Sequence, residues 1–386
     1  MHQDNITFPV GIEANTDVER AWETFVGIGE VSSTKVREVI GKSWVKSHAL
    51  GIHPDIERAP TVITSDELEE KVKTEDLALA GLTCLDKLLD ILYNTQHVVV
   101  LANAQGQIIH SVGHRQIQNE LEKINFRPGG DWSENIVGPN GVGTPIVLGR
   151  PEVVMGYEHY CKGWQPWVCY GAPIFNAKGN RILGSIDITG PVEKINKETM
   201  ALTISIAESV QSRLSVIRFH RREVLRELGK QIINRWPNDG VFILDEEGFF
   251  VEYNAKAKYQ LHLNSSSFIN KTISELIPSL SNSFFDCIKN KSETDVIIHL
   301  DQKISNMTEF RINFQPITNK GRLIGAAIII ENVPSDIDKN CSAFCEIGDD
   351  LIKQTLEQTN QNLSLTARIL GIDRSTIYRR RRKHNW

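Results

Sequence analysis

Between Glu198 and Arg235 the chain carries Leu202, Ile206, Val210, Leu214, Ile217, Val224, Leu228 and Ile232 at spacings of three, four or seven, and no Pro interrupts them before Pro237. That spacing sets the eight side chains along one face of a helix of about ten turns. A helix this long with a single apolar stripe joins domains or pairs with a copy of itself. The other reading is two ordinary helices, one closing each flanking domain.

The blocks on either side share a grammar. Before the helix, Val98-Val99-Val100-Leu101 runs into Asn103-Ala104-Gln105-Gly106 and then Ile108-Ile109. Ala172 to Phe175, Asn176 to Asn180 and Ile182 to Ile188 repeat it. An apolar run, a polar turn with Gly and a second run is a hairpin signature. After the helix, Val241 to Leu244, Asp245-Glu246-Glu247-Gly248 and Phe249-Phe250-Val251 form another. Three further strands are expected at Asp295–Leu300, Glu309–Pro316 and Leu323–Glu331. Upstream, Val36, Val39, Ile40 and Trp44 fall at helical spacing until Gly51-Ile52-His53-Pro54 stops them. A charged helix starts at Ser65, whose hydroxyl is expected to cap it. Leu82, Leu85, Leu88, Leu89 and Leu92 form an amphipathic stripe.

These patterns divide the 386 residues into an N-terminal helical segment (1–75), an α+β block (76–200), the connecting helix (198–235), a second α+β block (236–332), a polar linker (333–348) and a basic helical tail (349–386). Six cysteines are too few for a disulfide scaffold. The first residues show no basic stretch followed by an apolar run, and the longest aliphatic stretch, Leu323 to Ile330, is far shorter than the ~18 residues of a membrane span. A soluble, cytoplasmic chain without membrane contact is expected.

The net charge of −5 hides an asymmetry. Residues 349–386 hold eight Lys and Arg against four acids, so the tail is +4 and the remaining 348 residues are −9. Within the tail, Ala367 is a small residue where two helices must approach closely. Gly371 permits a positive φ at a sharp turn. Ile377 returns to the core. Small, Gly and aliphatic at this spacing is the helix-turn-helix arrangement, whose second helix enters the DNA major groove. Arg374, Ser375 and Thr376 open that helix and would face base edges. Tyr378 sits with them, and Arg379, Arg380, Arg382 and Lys383 would neutralise phosphates.

Asn362, Ala367, Leu370-Gly371 and Arg374 to Arg379 resemble the Fis-type DNA-binding domain. The chain departs from that pattern at Arg381, where the family has an aliphatic residue; the Arg stem can still cover the core. Four further stretches match one family: Val39-Ile40 to Trp44 with Gly51 to Pro54; Trp132-Ser133-Glu134 with Gly138 to Thr144; Glu158 to Cys161 with Trp167-Val168-Cys169 and Ala172 to Ile174; and Gly184 to Gly190. Together they resemble the sensory region of bacterial activators of the acetoin and dihydroxyacetone regulator type. That resemblance implies a GAF domain, then a PAS domain, in an α+β multidomain chain joined by the long helix and ending in an all-α helix-turn-helix. Asp239-Gly240-Val241 to Gly248, with Tyr253-Asn254, is similar to a PAS start. Those activators carry an ATPase domain between sensor and DNA-binding domain. Here seventeen residues separate Glu331 from Asp349, and no Gly-x-x-x-x-Gly-Lys-Ser/Thr occurs. Sensing and DNA binding carry over; ATP hydrolysis does not.

Other chemistry is weakly signalled. Gly138 to Gly143 lacks the preceding strand and following Lys of a phosphate loop and reads as a structural turn. Glu158, His159, Cys161 and Cys169 include metal-ligating types but in no metal-binding spacing. With Trp132, Tyr160 and Trp167 they are the candidate lining of an effector pocket, against the alternative of an aromatic core. Cys341 and Cys345 lie in the linker without a nearby His. No catalytic residue, metal or cofactor is expected. The implied partners are double-stranded DNA, a second copy of the chain, a small-molecule effector or regulatory protein, and RNA polymerase. The alternative is a sensor or adaptor that acts mainly through protein contacts.

Overall fold

The computed structural model describes residues 13–31, 35–88, 95–176, 178–260, 268, 271–300, 308–332, 352–357, 359, 361–370 and 377. The chain divides into two units, Met1–Arg221 and Arg222–Trp386. The fold is α+β and multidomain, with one five-stranded antiparallel sheet in each unit.

The first unit opens with helices α1 (Glu13–Ile28), α2 (Glu38–Ala49), α3 (Ser65–Thr74) and α4 (Asp76–Leu85). Its sheet comprises β1 (Val98–Asn103), β2 (Ile108–Gly113), β3 (Glu152–Met155), β4 (Trp167–Phe175) and β5 (Ile182–Pro191), in the order β2-β1-β5-β4-β3. Helices α5 (Arg115–Lys123), α6 (Glu134–Val137) and α7 (Gly143–Leu148) lie between β2 and β3. Both expected hairpins form, β1 with β2 and β4 with β5. Every residue of β1 is buried because both sheet faces are covered. One face packs under α1, α2 and a set of tryptophans; the other packs under α4 and the long helix. At the β1–β2 turn, Gly106 has φ +81° and its Cα side lies against the Ser133 backbone, so only Gly fits.

Two local expectations need correction. The cap of α3 is Thr64, one residue earlier than Ser65: its hydroxyl accepts from Glu67 N, and the Glu67 carboxylate accepts in return from Thr64 N. That reciprocal pair satisfies two helix-end donors, which a cap at Ser65 would leave open. The leucine stripe of 82–92 is helical only to Leu85, followed by a 3₁₀ turn to Leu88; Leu89 and Leu92 lie outside the described residues.

Helix α8 is one uninterrupted helix, Lys197–Arg235. Its stripe, Leu202 excepted, packs within the units. Ile206, Val210 and Leu214 are buried against the first sheet, with Ile217 packed beside them. Val224, Leu228 and Ile232 pack against the second sheet around buried Leu225. What α8 leaves exposed is Leu202 (41 %), Val216 (58 %) and Phe219 (68 %). Arg221 pairs with Asp76 of α4, and both are largely buried.

The second unit has β6 (Gly240–Asp245), β7 (Phe250–Tyr253), α9 (Ala255–Gln260), α10 (Ile273–Leu276), α11 (Pro278–Asn290), β8 (Thr294–Leu300), β9 (Thr308–Asn319) and β10 (Arg322–Asn332). The sheet order is β7-β6-β10-β9-β8, and all three expected late strands are present. One face holds a ring-rich core in which Phe268 contacts Phe242, Phe250 and Tyr253. Arg222 of α8 grips Asp245 at the end of β6, Nε to Oδ2 at 2.7 Å. The linker expected at 333–348 lies outside the described residues.

In the tail, residues 352–357 are helical and α12 spans Leu363–Leu370. Ile352, Leu356 and Ile377 form a small core closed by Leu363, Ala367 and Leu370. Ala367 and Ile377 thus take the inward places their spacing predicts. Asn362 Oδ1 accepts from Leu365 N at 3.1 Å, capping α12.

Candidate functional site

The polar centre of the first unit lies on the α1–α2 side of its sheet. Strand alternation turns Ile186 and Ile188 into the opposite core and leaves Ser185, Asp187 and Thr189 on this face. Asp187 is on the middle strand, opposite Val100 of β1 and Gly171 of β4. The segment Gly138–Thr144 lies directly over it. Asn140, fully buried, braces that segment: its amide donates to Trp132 O and Gly138 O, and its carbonyl accepts from Val142 N and Gly143 N. The brace presses Gly141 onto the sheet, where a Cβ would collide with Asp187 Oδ1, and Gly171 packs on the Gly141 carbonyl. The Gly-rich stretch is a structural lid on a sheet, as its lack of a Lys implies.

Beneath it, the Thr189 hydroxyl lies 2.6 Å from Asp187 Oδ2 and 3.2 Å from Cys169 Sγ. Thr189 has one hydrogen and cannot donate to both. The Thr189 hydroxyl therefore donates to one of the two and accepts from the other, from Asp187 O–H or from Cys169 S–H. Burial pushes the Asp187 pKa up to about 8, against a lowering by Thr189. Burial, then the nearby Asp187 charge, raises the Cys169 thiol well above 9.0. Asp187 Oδ1 has no hydrogen-bond partner among the described residues.

The candidate pocket residues separate into three environments. Trp132, Tyr160 and Cys161 belong to the aromatic core with Trp164, and Trp167 packs at its edge. Trp132 meets Phe126 and Trp164 edge-on at 4.6 Å between centroids. Trp164 Nε1 donates to Val137 O at 2.9 Å, and the Cys161 thiol donates to the same carbonyl at 3.4 Å. Cys161 is pushed up to about 12 by burial, so it is a thiol. Cys169 sits apart, against Asp187. Glu158 is bound by Arg37, Nε to Oε1 and Nη2 to Oε2, both at 2.7 Å. His159 is fully buried; its Nδ1–H donates to Gly156 O at 3.0 Å, and burial lowers its pKa to about 4. Its Nε2 has no partner among the described residues. No three metal-ligating side chains cluster among the described residues.

Arg37 is the group the sequence reading missed. It also reaches Glu152 Oε1 at 2.5 Å and Val153 O at 2.5 Å, so one cation holds two buried carboxylates at the entry to α2. Burial opposes its charge, yet Glu158 and Glu152 outweigh burial and its pKa is raised. The signal was Glu152 itself: an acid in the buried run Glu152-Val153-Val154-Met155 needs a cation.

In the tail, Arg374, Ser375, Thr376, Tyr378, Arg379, Arg380, Arg382 and Lys383 lie outside the described residues, as do Gly371 and Arg381. The core that would present them is described: Ile377 is fully buried among Ile352 and Leu356.

Comparison with known proteins gives two domain matches. The MimR N-terminal domain matches residues 14–214, and the bacterial regulatory protein Fis family matches residues 346–384. The acetoin dehydrogenase operon transcriptional activator AcoR of Bacillus subtilis is 27% identical over 220 residues, 56% of this chain and 36% of that protein. The signal-transduction and transcriptional-control protein of Clostridium beijerinckii is 26% identical over 333 residues, 82% of this chain and 51% of its own length. The propane 2-monooxygenase operon activator MimR of Mycolicibacterium smegmatis is 26% identical over 68% of this chain and 46% of that protein. The chain spans about a third to a half of the length of these relatives. Among solved structures, the E. coli DhaR(N)–DhaL complex aligns with a TM-score of 0.45 at 20% identity, over 77% of this chain and 100% of that one.

Proposed function

We propose that this chain, which belongs to the MimR N-terminal domain family, is a sequence-specific DNA-binding transcriptional regulator whose sensory units control a Fis-type helix-turn-helix. The observation that carries this reading is the C-terminal core: Ile377 closes on Ile352, Leu356 and Ala367 in a segment that bears +4 charge on a −9 body. In this reading the core presents Arg374, Ser375 and Thr376 to base edges. Tyr378, Arg379, Arg380, Arg382 and Lys383 then meet the backbone.

In this reading the first unit takes the input, a small metabolite or a regulatory protein, and the second is a PAS-type module. Two copies associate so that paired tails meet half-sites about one helical turn apart. With the α8 stripe occupied, the surface offered to the second copy is Val216 and Phe219. Output reaches RNA polymerase directly or through a partner, without ATP hydrolysis by this chain and without catalysis. No helix among the described residues is long and apolar enough to cross a membrane.

The test is a mobility-shift titration of the full chain on promoter fragments, with Arg374→Ala and a 349–386 deletion. We expect Arg374→Ala to lose about 1–3 kcal/mol of discrimination between sites, and the deletion to lose all DNA affinity. Full-length protein with no preference over random DNA at physiological salt would overturn the reading. Regulation that survives the deletion would favour an adaptor acting by protein contacts.

A further inference from the structure

Asp187 is fully buried on the middle strand of the first sheet, with the segment Gly138–Thr144 lying over it. An ionised carboxylate has about four lone-pair sites to satisfy. Here the Thr189 hydroxyl reaches Oδ2, and Oδ1 has no hydrogen-bond partner among the described residues. Its neighbours across the sheet are Val100 of β1 and Gly171 of β4, and the covering segment presents Gly141. Ser185 and Thr189 flank it on β5. Among the described residues, the titratable group facing it is the Cys169 thiol, which burial keeps protonated, and no cation acts on it.

The covering segment has donors, but they are committed. The Gly141 N–H is directed at the Cys169 sulfur. Val142 N and Gly143 N both donate to Asn140 Oδ1 at 2.8 Å. Asn140 is held in turn by Trp132 O and Gly138 O. The Ser185 hydroxyl ties down the Val142 carbonyl at 3.1 Å. The closed arrangement therefore fits a neutral carboxyl and leaves an ionised one without donors. Burial accordingly pushes Asp187 up to about 8, against a lowering by Thr189. An ionised Asp187 needs either water or the N–H groups that Asn140 now holds. Both require the segment to leave the sheet.

We propose that Gly138–Thr144 is a proton-operated lid, which closes over a neutral Asp187 and lifts when that carboxyl releases its proton to water. The strands beneath need not part, since β1 is buried along its whole length by packing on both sheet faces. With the lid closed the carboxyl titrates at about 8; in water it would titrate at the ordinary 3.8. Opening between those values releases one proton. It is therefore favoured about tenfold more for each pH unit and levels off above the closed-lid value.

Hydrogen–deuterium exchange by mass spectrometry on the full chain tests this, with each rate divided by the intrinsic exchange rate at that pH. Protection of a peptide covering 138–144 should fall about 100-fold from pH 6 to 8 and stay level to pH 9. At every pH the lid should be at least about 100-fold less protected than β1, because it opens without unfolding the unit. Asp187→Asn keeps the shape without the charge, and its lid should hold constant protection from pH 6 to 9. Infrared spectra of the wild type give a second reading that needs no variant. The carbonyl band of a protonated carboxylic acid should be present at pH 6 and gone by pH 9. Flat lid protection in the wild type, the same fall in Asp187→Asn, protection equal to that of β1, or no acid band at pH 6 would each overturn the lid.

Discussion

Asp187→Asn isolates the charge state of the buried centre. The native carboxyl titrates at about 8, against an ordinary value of 3.8, so between those limits the folded chain holds a proton that the unfolded chain has lost. Stability then falls as pH rises, by 1.36 kcal/mol per unit. His159 works the other way. Its native value of about 4 against 6.5 makes the unfolded chain the better proton binder, so stability rises with pH across that interval. The two slopes oppose one another below pH 6.5, and only the Asp187 slope remains from pH 6.5 to 8. That window is worth about 2 kcal/mol. The amide introduced by Asp187→Asn would keep the shape and offer a donor to Thr189, but it cannot ionise. The stability advantage of Asp187→Asn over wild type should therefore widen by about 2 kcal/mol between pH 6.5 and 8. Urea unfolding followed by tryptophan fluorescence reads mainly the correct unit, because five of the seven tryptophans, Trp22, Trp44, Trp132, Trp164 and Trp167, lie in it and Trp236 and Trp386 in the second. A gap that stays constant over the window, or narrows, would refute the neutral carboxyl.

Three further outcomes follow from the geometry. Gly141→Ala drives a methyl into Asp187 Oδ1 and Cys169 Cβ and should lower stability by about 1–3 kcal/mol in the same urea assay. Arg37→Ala leaves Glu158 without its cation and Glu152 with only Arg150 at 3.5 Å, and should lower it by about 3–5 kcal/mol, with much of the loss recovered when both acids are also replaced by Gln. Ile377→Asp puts a charge in the three-residue core of the tail; it should abolish site-specific DNA binding in a mobility-shift assay while the fluorescence transition of the first unit stays where it is.

What was legible in the sequence was whatever rests on local chemistry. The hairpins were readable because a Gly turn between apolar runs closes within a few residues, as Asn103–Gly106 does. Ala367 and Ile377 were readable because helix–helix approach demands a small residue at one place and an aliphatic one at another. Partners distant in the chain were not. Arg37 meets Glu152 and Glu158 more than a hundred residues away, and no local pattern announces a cation that will be buried. The aromatic stretch from Trp132 to Trp167 was open between pocket and core because both need the same residues; indole donors engaged by Val137 O and Asn125 O place Trp164 and Trp132 in packed interior. Periodicity also could not say what an apolar stripe would pack against. That of α8 faces its own sheets.

Helix α8 is held by charge as well as by its apolar stripe. Two consecutive arginines on it are each fastened within a different unit: Arg221 to Asp76 in the first and Arg222 to Asp245 in the second. Each pair fixes the rotation of α8 within its own unit. No Pro breaks the hydrogen-bond ladder between Lys197 and Arg235. Asp245 is also tied to the turn that follows it, accepting from Glu247 N and Phe249 N. Within the second unit, Arg222 therefore links α8 to the β6–β7 turn.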